Sequence, residues 1–106
     1  MKRDVLLTET AHQQMNAAAD WYAERNSPVA ATWFNGLVAG LNSLAENPEQ
    51  HSLARESEFL PFELRQFLYG SGKRTTHRVL FVIREKCIVV YQIRHVAMRD
   101  LTVDDF

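Results

Sequence analysis

A chain of 106 residues, 46% of them hydrophobic and 24% charged, has room for one small core and excludes a two-domain enzyme or a disordered polyelectrolyte. The single cysteine, Cys87, excludes an internal disulfide framework and any CxxC zinc or redox site, which fits a reducing cytoplasm. The formal net charge is −1, but residues 1–63 carry −5, residues 64–106 carry +4, and stopping at Arg99 raises the second segment to +7. Such an asymmetry points to an anionic partner.

No basic-then-apolar leader opens the sequence, and no apolar run approaches the roughly 18 residues of a membrane helix, so a protein neither secreted nor membrane-spanning is expected. Val5-Leu6-Leu7 reads as one brief strand. Thr8 then offers a hydroxyl cap, and Ala11, Met15, Ala18 and Tyr22 recur on one stripe of a helix closed by Glu24 and Arg25. A second helix starts at Asn26-Ser27-Pro28, with Ser27 as cap and Pro28 at the first helical position. Its apolar face is Ala30, Phe34, Leu37, Leu41 and Leu44, widened by Ala31, Val38 and Ala45, and it runs to Asn47-Pro48. The short connection predicts an antiparallel helical hairpin.

Residues 49–61 lose all periodicity and read as an acidic surface loop. Three segments rich in Val, Ile, Phe and Tyr follow, Leu64 to Tyr69, Arg78 to Arg84 and Cys87 to His95, separated by Gly70-Ser71-Gly72-Lys73-Arg74 and Glu85-Lys86. They predict an antiparallel meander. The fold expected is α+β, in the order β-α-α-β-β-β: a short N-terminal strand and a helical hairpin packed on a mainly antiparallel sheet. The last two strands are apolar at nearly every position, so both faces need cover. The hairpin serves one; a partner, a second copy or the tail after Met98 serves the other.

On strict alternation Arg78, Leu80, Val82 and Arg84 share a face, Arg94 lies with Ile88, Val90 and Gln92, and His95 with Val89, Tyr91 and Ile93. Arg65, Arg78 and one of Arg94 or His95 are then expected to converge on one surface edged by Lys73 and Arg74. Such a cluster suits phosphates, the pentacovalent phosphate of RNA cleavage with a histidine as acid or base, or an acidic protein segment. The four histidines, His12, His51, His77 and His95, lack ligand spacing, so no metal and no cofactor is expected. Trp21-Tyr22 and Trp33-Phe34 place an aromatic pair on each helix; one member of each leaves the main stripe, so Trp21 and Trp33 are either hairpin core or anchors for a partner.

From about Thr8 to Arg99 the chain resembles the ParE/RelE superfamily of bacterial toxins, and most of all its ParE-like plasmid-stabilisation branch. The resemblance rests on Trp21-Tyr22-Ala23, on Ser27 to Phe34, on Leu44-Ala45-Glu46-Asn47-Pro48 and, more specifically, on Glu63-Leu64-Arg65-Gln66-Phe67-Leu68-Tyr69-Gly70. His77-Arg78-Val79-Leu80-Phe81 and Ile93-Arg94-His95, with Arg99 following, complete it. It implies one toxin domain over 1–106, encoded beside an antitoxin that wraps and neutralises it. Antitoxin or target would meet Arg65, Lys73, Arg74, Arg78, Arg94, His95, Trp21 and Trp33.

RelE-like members cleave ribosome-bound mRNA with basic sheet residues and commonly a C-terminal tyrosine or histidine; ParE-like members inhibit DNA gyrase and are not known for a nuclease centre. Arg78 matches the strand arginine of the nuclease branch, and a nuclease built here would use Arg65, Arg78, His95 and Arg99. Yet no tyrosine follows His95, and Phe106 has no hydroxyl to exchange a proton. The resemblance therefore favours a non-enzymatic gyrase inhibitor. Its alternatives are a ribosome-dependent nuclease and a non-toxic antitoxin-binding co-repressor whose DNA contacts lie in the antitoxin.

Overall fold

The computed structural model describes residues 2–71 and 74–106. Its elements are β1 (Asp4–Leu7), α1 (Glu9–Arg25), α2 (Ser27–Ser43), β2 (Arg65–Ser71), β3 (Arg74–Ile83) and β4 (Cys87–His95), with short 3-10 turns at Pro48–Gln50, Arg55–Phe59 and Val103–Asp105. The α+β order is the one expected.

Thr8 Oγ1 accepts the Ala11 N–H at 3.1 Å, capping α1, and donates to the Tyr91 carbonyl at 2.8 Å, so the cap also ties the helix to β4. Between the helices the cap is Asn26 rather than Ser27. Asn26 is extended, its N–H closes α1 on the Tyr22 carbonyl at 2.7 Å, and its Oδ1 accepts the Val29 N–H at 3.3 Å. Ser27 is thereby already inside the helix, with its hydroxyl 3.5 Å from the Ala23 carbonyl. One residue ends one helix and starts the next, which forces the tight hairpin.

The inner stripe of α2 is Ala30, Trp33, Leu37 and Leu41, continued by Leu44 just past the helix end; Phe34 is only half-buried. Trp33 is thus core, 2% exposed, with its ring against Tyr22, Tyr69 and His77. Gly36 and Gly40 leave the space that Tyr69 and Phe67 fill, so that α2 lies close on β2.

The sheet order is β1-β4-β3-β2, with β1 parallel to β4 and the other pairs antiparallel. Val79, Phe81, Ile88, Val90 and Ile93 face the hairpin and pack with Ala11, Met15, Trp33, Leu37, Leu41 and Leu44. Burying each large member contributes about 1.5–3 kcal/mol. Gly70 sits at a register shift in β2, where any Cβ would collide with the Arg74 backbone across the turn.

The opposite face is covered from within the chain. Ala54 and Leu64 from the segment after α2 and Leu101 from the C-terminal tail pack on Leu80 and Val82, flanked by Leu60, Phe62 and Tyr91. The Phe106 ring closes the edge, 5.1 Å from both Phe62 and Tyr91. The tail is one of the covers expected; the aperiodic stretch, which reads as a surface loop with room for a helical turn, is the other. Its 3-10 turns carry neither the 3.6- nor the 2-residue period by which burial is read from sequence.

Strict alternation fails in β4. Phe81 pairs with Val90 and Leu80 with Gln92, leaving Tyr91 as an extra residue. This bulge puts Ile88, Val90, Ile93 and His95 on the helix side and Gln92 and Arg94 on the other, correcting the face assignment expected for Arg94 and His95. Gln14 of α1 compensates: its Oε1 accepts the Ile93 N–H at 2.7 Å and its Nε2 donates to Gln92 Oε1 at 3.0 Å.

Candidate functional site

The basic residues divide between the two faces instead of converging. Arg78 and Arg94 are cross-strand partners on the tail side, whereas Arg65 pairs with Phe81 on the helix side, where His77 and His95 also pair. Arg74 is the first residue of β3, and Lys73 lies outside the described residues. A single surface holding Arg65 and Arg78 together is therefore not formed. The register between β2 and β3 places them on opposite sides.

Arg78 is 3% exposed and forked onto Glu56, Nη1 to Oε2 at 2.8 Å and Nη2 to Oε1 at 2.5 Å, while its Nε donates to Gln66 Oε1 at 3.1 Å. Glu56 is equally buried and also accepts the Leu101 N–H at 3.2 Å. Burial alone would raise its carboxyl above the ordinary range; the Arg78 fork and the backbone donors outweigh this and hold it below. Arg94 lies beside this pair, 5% exposed, with only neutral acceptors: Gln92 Oε1 at 2.6 Å and the Arg99 carbonyl at 2.9 Å. Its Nε has no partner among the described residues.

The tail is strapped across these arginines. Arg55 holds Asp100 through contacts of 2.5 to 2.9 Å, and Arg99 forks onto Asp105 at 2.8 and 2.9 Å. Arg65 spends its guanidinium on the His51 carbonyl at 2.7 Å and on Glu63 at 3.5 Å. Of the residues a nuclease would use here, Arg65, Arg78 and Arg99 are engaged within the chain, and Arg78 lies out of solvent.

The helix side is open at one end. Ala17, Ala18, Trp21 and Tyr22 of α1 face His77 and His95 across a cleft of about 320 Å³, continued by about 410 Å³ along Arg74, Thr75, Thr76 and Val96. Trp21 is 52% exposed, with the Arg25 guanidinium 3.7 Å above its ring. The His77 and His95 rings lie 5.4 Å apart. Burial, and then the neighbouring His95, lower the His77 pKa to about 4, so this imidazole is neutral at pH 7. Trp21 is thus presented to solvent and Trp33 is not.

Sequence reasoning missed Glu56, Gln66 and Gln92. Glu56 is one acid in an acidic stretch, and nothing local separates it from exposed Glu58 and Glu63. Tyr22 has a visible signal, its place on the inner stripe of α1 beside Trp21. Among the described residues no group of three His, Cys, Asp or Glu side chains is arranged to hold a metal ion, and no helix is long and apolar enough to cross a membrane.

The site is thus a helical hairpin on a mixed four-stranded sheet, with Arg78 paired to Glu56 under the tail and an aromatic–histidine cleft left open on the helix side. The family model described as ParE toxin of type II toxin-antitoxin system, parDE, matches residues 5–100, and the chain belongs to that family. Among solved structures, "Chromosomal ParDE TA system from P. aeruginosa" superposes with a TM-score of 0.69 at 22% identity, covering 90% of this chain and 97% of that one, which bears on the fold. Comparison with curated protein sequences gives no match.

Proposed function

We propose that this chain acts in the cytoplasm as a ParE-like toxin, a single domain needing no cofactor, which inhibits DNA gyrase and is neutralised by a cognate antitoxin encoded beside it. The observation that carries the choice of target is the Arg78–Glu56 pair beneath the tail. A nuclease of the RelE type needs a strand arginine free to meet a phosphate and a group that exchanges a proton beside it. Here that arginine is buried and neutralised by Glu56, and Phe106 packs on Tyr91 with no hydroxyl. Family membership supports the toxin role; the closed arginine face supports a target reached by protein contact rather than by phosphodiester chemistry.

The purified chain is expected to inhibit negative supercoiling of relaxed plasmid by gyrase, and its induction in bacteria to alter plasmid topology while ribosome-bound mRNA stays intact. Rapid mRNA cleavage with unchanged topology would replace this reading with the ribosome-dependent nuclease. Unaffected growth would leave the antitoxin-binding co-repressor.

A further inference from the structure

The cleft between the C-terminal end of α1 and the β3–β4 hairpin lies on the side away from the tail and combines three unspent features. It has an aromatic wall, Trp21 and Tyr22, with Trp21 half-exposed. It is lined by Arg74, His77 and His95 and, among the described residues, by no carboxylate; Asp20 and Glu24 of α1 are exposed outside it. And one of the groups lining it is a histidine that is 93% buried, His77, whose Nδ1 shares a hydrogen bond with Thr76 Oγ1 at 2.8 Å.

We propose that this cleft seats a segment of the antitoxin that presents a large apolar side chain beside a carboxylate, and that His77 takes up a proton as the carboxylate arrives. This rests on the antitoxin reading above and adds to it the place, the chemistry and the pH dependence of the contact.

The volume suits one aromatic or branched aliphatic side chain against Trp21, and exposed Trp with a stacked Arg is the composition of an interface anchor. The occupant's charge follows from the lining. His95 Nδ1 accepts the Ala97 N–H at 3.0 Å, so neutral His95 carries its proton on Nε2 and offers a donor, beside the Arg74 guanidinium. The groups facing His77 are Tyr22 of α1, Trp33 of α2, Tyr69 of β2 as its cross-strand partner, Thr76 of β3 and His95 of β4. None is an acid, so the free protein has nothing to stabilise an imidazolium there. A partner carboxylate supplies it, raising the bound-state pKa above the free one. Affinity then rises as pH falls, by at most about tenfold per pH unit for each proton taken up.

The test is titration of the purified chain with the product of the adjacent reading frame at pH 7, 6 and 5 and constant ionic strength. With the free His77 pKa at about 4 and a carboxylate that raises it by about 2 units, the dissociation constant is expected to fall at least about threefold between pH 6 and 5. Trp21→Ala and Arg74→Glu, both exposed and harmless to the core, are expected to weaken binding about tenfold or more. His77→Gln, or His77→Asn where the first does not fold, flattens the pH dependence. A complex indifferent to Trp21→Ala and Arg74→Glu overturns the site, and a flat profile from pH 7 to 5 overturns the proton uptake, with the antitoxin reading intact in both cases. Absence of any complex with the wild-type chain overturns that reading and this inference together.

Discussion

Replacing Glu56 with alanine leaves the Arg78 guanidinium buried with no counter-charge, with buried Arg94 as its cross-strand neighbour, and deprives the Leu101 N–H of its acceptor. Removing one partner of such a pair costs about 3–5 kcal/mol, because the remaining charge is not rehydrated. A domain of this size has about 5–15 kcal/mol in total, and each kcal/mol moves Tm by about 4–8 °C, so a fall of at least 12 °C is expected. Urea and thermal melts of Glu56→Ala measure it. Hydrogen exchange of the Leu101 amide adds a local readout, since loss of the carboxylate frees the tail from Ala54 and Val82 before global unfolding. The paired replacement Glu56→Leu with Arg78→Met removes both charges and is expected to recover most of the loss, short by the unsatisfied Leu101 N–H at about 1–3 kcal/mol. If Glu56→Ala costs less than about 1 kcal/mol with unchanged exchange at Leu101, the pair does not hold the tail and the closed arginine face loses its basis.

Acid stability follows from two groups with depressed folded-state pKa values. His77 is neutral in the fold down to a pKa of about 4 but protonates near 6.5 when unfolded, so its contribution is complete above pH 6.5 and about 3 kcal/mol is lost as pH falls to 4. Melts of His77→Gln across that range are expected to show a flatter slope. Glu56 contributes above its unfolded pKa near 4.5 and loses that contribution at lower pH, so Glu56→Gln abolishes the steepest part of the acid transition. Gly70→Ala meets the Arg74 backbone and is expected to cost at least about 1 kcal/mol, read as a lowered urea midpoint, since a fixed backbone cannot yield as a side chain does. Leu101→Ala empties the tail's place on Leu80 and Val82 at about 2–5 kcal/mol and raises the protease sensitivity of residues 99–106.

What reached the surface of the sequence was local in origin. The stripe Ala11, Met15, Ala18, Tyr22 is a 3.6-residue period, the Thr8 cap and the break at Pro28 act within one turn, and the β-branched runs after residue 78 name strands without knowing their neighbours. The element order, the hairpin and the family resemblance follow from such features. Even locally the reading slipped where two residues compete for one role: Asn26 and Ser27 both cap well, and only the chain reversal decides for Asn26. Trp33 and Phe34 likewise stand side by side on α2, and the tilt of the helix over Tyr69 and His77 decides which is core.

The candidate site was decided by contacts between residues far apart in the chain. The extra residue at Tyr91 sets the faces of His95 and Arg94, the β2–β3 register separates Arg65 from Arg78, and a carboxylate 22 residues upstream neutralises that arginine. Sequence determined which residues were available: the strand arginines Arg65, Arg78 and Arg94, two histidines near the sheet's end and a tryptophan on each helix. Tertiary structure decided which were spent in the fold and which face solvent, because the energy of a charge depends on what surrounds it in space. The same guanidinium is a binding group in water and a structural tie when Glu56 and Leu101 close over it.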